Sequence, residues 1–361
     1  MRTGYSVAII RSITTRPFSL ALKGDLRWGK SSRLSKLEHV LVEVETDEGQ
    51  VGYGEAPVRP TIYGETVASV EAIIREHFAP ALIGKSLEDE SFSTPLWTSL
   101  PNNHTAKGAL DLACHDARAK SLGESFFQTY RGPQERVRVS YILGISDLPT
   151  MLAEARRVFA AGVSVFKVKI GRDFQHDEAI IQALKTELAG EDIVLYADAN
   201  ETLSPENAKH VLERLAALGV AYIEEPLPVH LLRERAALKA AAILPIIADD
   251  SCFTLPDLER ELAFDTFDIL NIKPARTGVT LSLAQLELAQ AAGKGVMIGS
   301  QASSSLGTMQ AAVLASRTGV SHPSELSFPL KLAEDSLTPP SYQRGYLELS
   351  QLADQTLKPT L

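Results

Sequence analysis

The sequence predicts an α/β protein, a (β/α)8 barrel of the TIM type behind an N-terminal α+β domain, on three observations. Five charged residues, Lys169, Asp198, Glu224, Asp249 and Lys273, each close a short apolar run and stand 29, 26, 25 and 24 residues apart. That is the repeat expected of successive strand-helix units. From Val137 onward, eight short Val/Ile/Leu-rich runs alternate with amphipathic stretches, and eight parallel strands close a barrel. The 361 residues exceed one barrel of roughly 200–250 residues and leave material for a second domain.

In chain order, residues 5–15 and 38–46 read as strands, and the turn Asp47-Glu48-Gly49 returns the chain through Gln50 to Glu55 as an antiparallel meander. Two helices are expected next, Glu65 to His77 and Thr105 to Leu122, the second stopped by Gly123. The barrel strands are predicted at 137–143, 165–170, 193–197, 221–224, 245–248, 268–272, 295–299 and 324–327. The expected boundaries are therefore 1–132 for the N-terminal domain, 133–327 for the barrel, and 328–361 for a Pro-rich tail packing back on the N-terminal domain.

The bulk numbers exclude several classes. A formal charge of −9 offers no basic face for nucleic-acid phosphates. No stretch of about 20 uninterrupted apolar residues is present, so no membrane span is expected. The apolar run near the start is broken at once by Arg11, unlike a secretory signal. Two distant cysteines, Cys114 and Cys252, imply no disulfide framework and point to the reducing cytoplasm.

At the C-terminal ends of parallel barrel strands, polar residues converge on one mouth. Asp198, Glu224 and Asp249 would supply three hard oxygen ligands from consecutive strands, which suits Mg²⁺ or Mn²⁺. Zinc would call for His or Cys at these places. Asn200, two residues after Asp198, faces the same side and is placed to bond a ligand water. Glu225 and Asp250 should point away if the pleat persists. Lys167 and Lys169 lie two apart on one strand, so both point into the mouth, where mutual repulsion and desolvation would lower their pKa. Lys273, on the sixth strand, stands across the barrel from Lys169. A cation flanked by two lysines fits proton transfer beside a carboxylate, with positive charge stabilising an enolate-like intermediate.

Lys167-x-Lys169, Asp198-Ala199-Asn200, Glu224-Glu225-Pro226, Asp249-Asp250-Ser251 and Lys273, in this order, resemble the enolase superfamily in its muconate lactonizing enzyme subgroup. Such sites use a Lys or His base with Mg²⁺. The resemblance implies a cap whose loops, near Arg16 to Lys30 and Arg59 to Tyr63, select a small carboxylate substrate, and a homo-oligomeric assembly. The stretches GEAPVRPTIYGET, NIKPARTG and SELSFPLKLAEDSL look most like muconate cycloisomerases. That subgroup carries a Glu-Leu pair at the eighth strand, here Glu325-Leu326, whereas dipeptide epimerases place Asp-x-Asp there. The implied activity is cycloisomerisation of cis,cis-muconate to muconolactone, with Lys169 or Lys273 as acid/base. Dipeptide epimerase or N-acylamino acid racemase is the alternative, and o-succinylbenzoate synthase the third. Tyr63, Ser300 and Gln301 join Asn200, Asp250 and Glu325 as candidate substrate-facing or supporting residues.

Overall fold

The computed structural model describes residues 8–353, 355 and 357–361. The cap is a three-stranded antiparallel sheet, β1 (Ile10–Trp28), β2 (Ser32–Thr46) and β3 (Val51–Pro57), backed by helices. The first three residues of the strand expected at 5–15 lie outside the described residues, and the strand runs on to Trp28. Its outer half and the first half of β2 were expected as loop. The period-two signal is nonetheless present in Phe18, Leu20 and Leu22 and resumes at Leu26 and Trp28, after a register shift between Ala21 and Leu26. This long hairpin carries Leu20, Leu26 and Leu37 onto Ala302, Phe328 and Leu332 at the barrel mouth. Arg172 Nε pins its tip by donating to Gly29 O at 2.9 Å.

The second cap helix spans His104–Ser121, within one residue of expectation at each end. It lies so close to β3 that side chains are excluded there. A Cβ on Gly52 would stand 2.1 Å from Ala113 O, and one on Gly54 2.1 Å from Ala109 O. The same helix ties the cap to the barrel, because Asp111 Oδ2 accepts from Val279 N at 2.7 Å and Thr280 N at 3.0 Å.

After the short β4 (Arg136–Arg138), the barrel begins. Strands β5 (Ser140–Leu143), β6 (Val165–Lys169), β7 (Val194–Asp198), β8 (Ile223–Glu224), β9 (Ile246–Ala248), β10 (Ile269–Ile272) and β11 (Gly295–Ile298) pair in sequence order as one parallel sheet. The eighth strand expected at 324–327 is reduced to local pairings that close the circle. Ser140 N donates to Ser324 O at 2.8 Å, Ser324 N to Arg138 O at 2.9 Å, and Glu325 N to Ile298 O at 2.8 Å. Pro323 lacks the N–H that a longer ladder would need. In the tail, β12 (Tyr346–Glu348) pairs with β4, and Leu332 bridges Leu22 of the cap hairpin.

Alternation sorts the barrel interior into layers. Val165, Tyr196, Tyr222, Ile247, Ile269 and Met297 form an apolar plug. Two residues further along the chain from these stand Lys167, Asp198, Glu224, Asp249, Asn271 and Gly299, so five of the six places one step above the hydrophobic floor carry a polar side chain. Among the described residues no helix is long and apolar enough to cross a membrane.

Gly52→Ala should destabilise the protein by about 1–3 kcal/mol through forced separation of β3 from the cap helix. Denaturant unfolding checks this; a midpoint unchanged from the wild type would show that the close approach is not required.

Candidate active site

The parallel register sets three charged groups side by side, since Lys169 pairs with Asp198 and Asp198 with Glu224. Lys167, one inward step below Lys169, is buried at 1% exposure. Its Nζ lies 2.7 Å from Glu224 Oε1, 2.8 Å from Asp198 Oδ2 and 2.5 Å from Glu325 Oε1. Lys169 Nζ donates to Asp198 Oδ2 at 2.5 Å and to Asn200 Oδ1 at 2.9 Å. On the opposite side Lys273 Nζ closes on Asp249 Oδ2.

Electrostatics here run against one expectation. Burial by itself would lower the Lys167 pKa, but the charges of Asp198, Glu224 and Glu325 outweigh it and raise the pKa well above the usual lysine value. Three carboxylates, not a second ammonium, are its nearest charges, and they favour its cationic form. Lys273 is likewise raised, against burial, by Asp249 and Glu325. Asp198 is held down to about 2, against its burial, by Lys167 and Lys169. Glu224 goes the other way: burial and the neighbouring Asp198 charge push it up despite Lys167. The two directions are compatible, because one ammonium is shared among three acids and the least well paired of them takes up a proton first.

Asp249 is set by Arg276, which the sequence did not single out, and by Glu225. Arg276, 1% exposed, bonds Asp249 O through Nη2 at 2.9 Å and places Nη1 3.1 Å from Asp249 Oδ1. Glu225 points out of the mouth, as expected, and accepts from Asp249 N at 2.7 Å and from Ser251 N at 2.9 Å. Asn271 Nδ2 reaches Glu224 Oε1 at 3.4 Å. A Cβ on Gly299 would stand 2.1 Å from Asn271 Oδ1. Strand periodicity would have found Asn271, two residues before Lys273. Arg276 had no such signal, being on a one-turn helix.

One cavity opens above these groups, walled by Leu26, Trp28, Leu34 and Ile62 from the cap and by Ile142 and Phe328 from the barrel side. Lys169, Asn200, Asp249, Asp250, Lys273, Ser300 and Gln301 also line it. Asp198, Glu224, Lys167 and Glu325 lie beneath. Asp250 was expected to point away. The regular strand stops at Ala248, so the pleat no longer applies and Asp250 faces the cavity. Burial and the Asp249 charge push its carboxyl up to about 7. Tyr63 is not at the cavity. It packs between His104 and Phe253, with ring centroids at 5.7 and 5.3 Å, while its neighbour Ile62 lines the wall.

Asp198, Glu224 and Asp249 offer the hard oxygens a divalent cation takes. Glu224 Oε2 is buried with no hydrogen-bond partner among the described residues, as a ligand oxygen would be. The lysines close on the same carboxylates, and no ready group of three Asp, Glu, His or Cys side chains is gathered among the described residues. Cation binding therefore has to displace ammonium contacts. The donor set fits, with that rearrangement.

Residues 12–129 match the mandelate racemase / muconate lactonizing enzyme N-terminal domain, and residues 150–353 match the enolase C-terminal domain-like family. The L-Ala-D/L-Glu epimerase of Bacillus subtilis (strain 168) is 30% identical over 303 residues, 82% of this chain and 80% of its own length. A muconate lactonizing enzyme from Mycobacterium smegmatis, solved with muconolactone, superposes with a TM-score of 0.88 at 36% identity, covering 94% of this chain and 93% of that one. A dipeptide epimerase from Cytophaga hutchinsonii, solved with Mg and D-Ala-L-Val, gives a TM-score of 0.86 at 27% identity over 94% and 93% of the two chains. With both domains matched and the barrel mouth built as described, this chain belongs to the enolase superfamily, in the branch that carries a mandelate racemase / muconate lactonizing enzyme N-terminal domain.

Proposed function

We propose that this isomerase transfers a proton at the carbon beside a carboxylate, and that its reaction is the cycloisomerisation of cis,cis-muconate to muconolactone or the reverse. The observation that carries the substrate is the state of Glu325. A substrate ammonium needs an uncommitted acid, and the acid of the eighth strand is already engaged. Glu325 is closed on Lys167 and accepts from Ser300 N at 2.8 Å. Asp249 is held by Lys273 and Arg276, and Asp250 lies 3.7 Å from Arg276 Nη1. A dicarboxylate asks for no such acid. The 36% identity to a muconate lactonizing enzyme supports this reading.

Asp198, Glu224 and Asp249 would hold Mg²⁺, or Mn²⁺ on the same oxygens, whose charge would steady the substrate carboxylate as negative charge builds on it. Lys167 keeps Asp198 ionised in place. In the cyclisation, one substrate carboxylate oxygen adds to the conjugated double bond, and the electron pair moves to the carbon beside the other carboxylate. Lys169 Nζ delivers a proton to that carbon and is left neutral until it regains one from solvent; Lys273 is the second choice. The cap wall of Leu26, Trp28 and Ile62 excludes water from the reacting chain.

Epimerisation of an acylated amino acid or dipeptide is the second reading. It is favoured by one observation, that Lys169 and Lys273 line the same cavity from opposite strands. One would remove the α-proton and the other return it on the opposite face.

Chelation should abolish muconate turnover and added Mg²⁺ should restore it, and Asp249→Asn should weaken Mg²⁺ binding more than about tenfold by calorimetry. Full activity in chelator would remove the cation from the mechanism.

The two reactions separate in D₂O. Under cycloisomerisation, one of Lys169→Ala and Lys273→Ala should lose at least about 100-fold in turnover, and the other distinctly less. Should each variant instead keep α-deuterium exchange with a single enantiomer of a dipeptide while losing inversion, the epimerase reading takes over.

A further inference from the structure

We propose that Gln301 selects the second end of the substrate, receiving an oxygen acceptor, a carboxylate or a carbonyl, and turning away an ammonium. The inference rests on the reading of this cavity as a carboxylate site and adds to it the chemistry of the group that lies away from the charged floor.

Gln301 lines the cavity where the seventh barrel strand meets the cap, and is 4% exposed. Its Nε2 has no hydrogen-bond partner among the described residues. A buried donor left unpaired costs about 1–3 kcal/mol, and native interiors hold few of them without a purpose. The backbone around it is held in a costly shape. Ala302, the next residue, has φ 58°, a left-handed conformation that is uncommon for a residue with a Cβ. Arg59 of the cap secures it, donating through Nη2 to Gln301 O at 2.8 Å and Ala302 O at 3.1 Å, while Nη1 donates to Val58 O at 2.6 Å. The amide is thus placed by a buried cation from the other domain.

Charge and shape give the ligand class. The Arg59 guanidinium, 4% exposed, lines this wall and donates to the Gln301 carbonyl, which puts a cation beside the place an ammonium would take. Glu325, the nearest acid on the eighth strand, is consumed by Lys167 and Ser300 N. Trp28, Ile142 and Phe328 also line the cavity, and they suit a short hydrocarbon chain. The cavity therefore fits a chain that is anionic at the floor, apolar in the middle and acceptor-bearing at the seam.

Binding of three unreactive six-carbon acids in the presence of Mg²⁺ tests this by calorimetry: adipate with a second carboxylate, hexanoate with a methyl end, and 6-aminohexanoate with an ammonium. The wild type should prefer them in that order. Gln301→Leu should weaken adipate about 10- to 100-fold and leave hexanoate within about twofold. Gln301→Glu should reverse the order of adipate and 6-aminohexanoate, and thermal unfolding verifies that each variant is folded. A wild type that binds adipate no tighter than hexanoate overturns the proposal, even if neither variant folds. So does equal weakening of both acids, or no weakening of either, in Gln301→Leu. Because none of the probes reacts, absence of muconate turnover with adipate selectivity intact would sink the proposed reaction and leave the role of Gln301 standing.

Discussion

The buried ammonium of Lys167 is the contact on which the rest of the site depends. It lies within 2.8 Å of carboxylate oxygens from three separate strand ends, Asp198, Glu224 and Glu325. Without it, three acids buried in a narrow space would repel one another, and at least one would take up a proton. With it, Asp198 stays ionised beside Lys169, and Glu325 is drawn down and away from the cavity. Glu325 N also bonds Ile298 O, so the same short segment that binds Lys167 completes the barrel where a regular eighth strand is missing. Replacing one partner of such a cluster is far more damaging than its net contribution to stability suggests, because the remaining charges stay buried and unpaired.

Around this centre, the cap is attached to the barrel by buried polar contacts rather than by a broad apolar face alone. Glu55 accepts from Ser304 N at 2.8 Å and also from the Ser304 hydroxyl. Asp111 caps the turn at Val279 and Thr280. Arg59 grips the carbonyls of Gln301 and Ala302. Each contact lands on a loop that leaves the C-terminal end of a barrel strand. The cap thus shapes the mouth through the backbone of the loops that line it, and its own side chains Leu26, Trp28 and Ile62 form the wall opposite the lysines. Chemistry and selection are divided between the domains, with charge from the strand ends and enclosure from the cap.

The similarity to epimerases and to muconate lactonizing enzymes alike follows from that division. The lysines, the three carboxylates and the parallel register serve any proton transfer beside a carboxylate, so they do not choose among substrates. Choice falls to the groups above them, where the commitment of Glu325 to Lys167 and the orientation of Asp250 matter more than their presence in the chain. An Asp or Glu counts as a site for an ammonium only if no cation of the protein has already claimed it.

The sequence by itself determined the barrel, because strand and helix periods are local and because one charged residue per unit, in phase, has few explanations other than a shared mouth. Lys167, Lys169, Asp198, Glu224, Asp249 and Lys273 were legible for that reason, as were Asn200, Ser300 and Gln301 near the cavity. What the chain did not reveal was which charges would meet. Lys167 and Lys169 read as a repelling pair, yet each finds carboxylates from other strands, since barrel closure brings together residues as far apart as Lys167 and Glu325. Arg276 carries no periodic signal, and the grip of Arg276 and Glu225 on Asp249 exists only once a one-turn helix and two adjacent strand ends are folded together. Asp250 came out on the cavity side, against the expectation from the pleat, because its orientation is set where regular structure stops, and beyond the last paired residue the pleat no longer decides where a side chain points. Local pattern settles which elements form and which face each residue takes within them; pairing of charges across distant segments is decided by the closed tertiary structure, where distance and burial fix the strength of each contact.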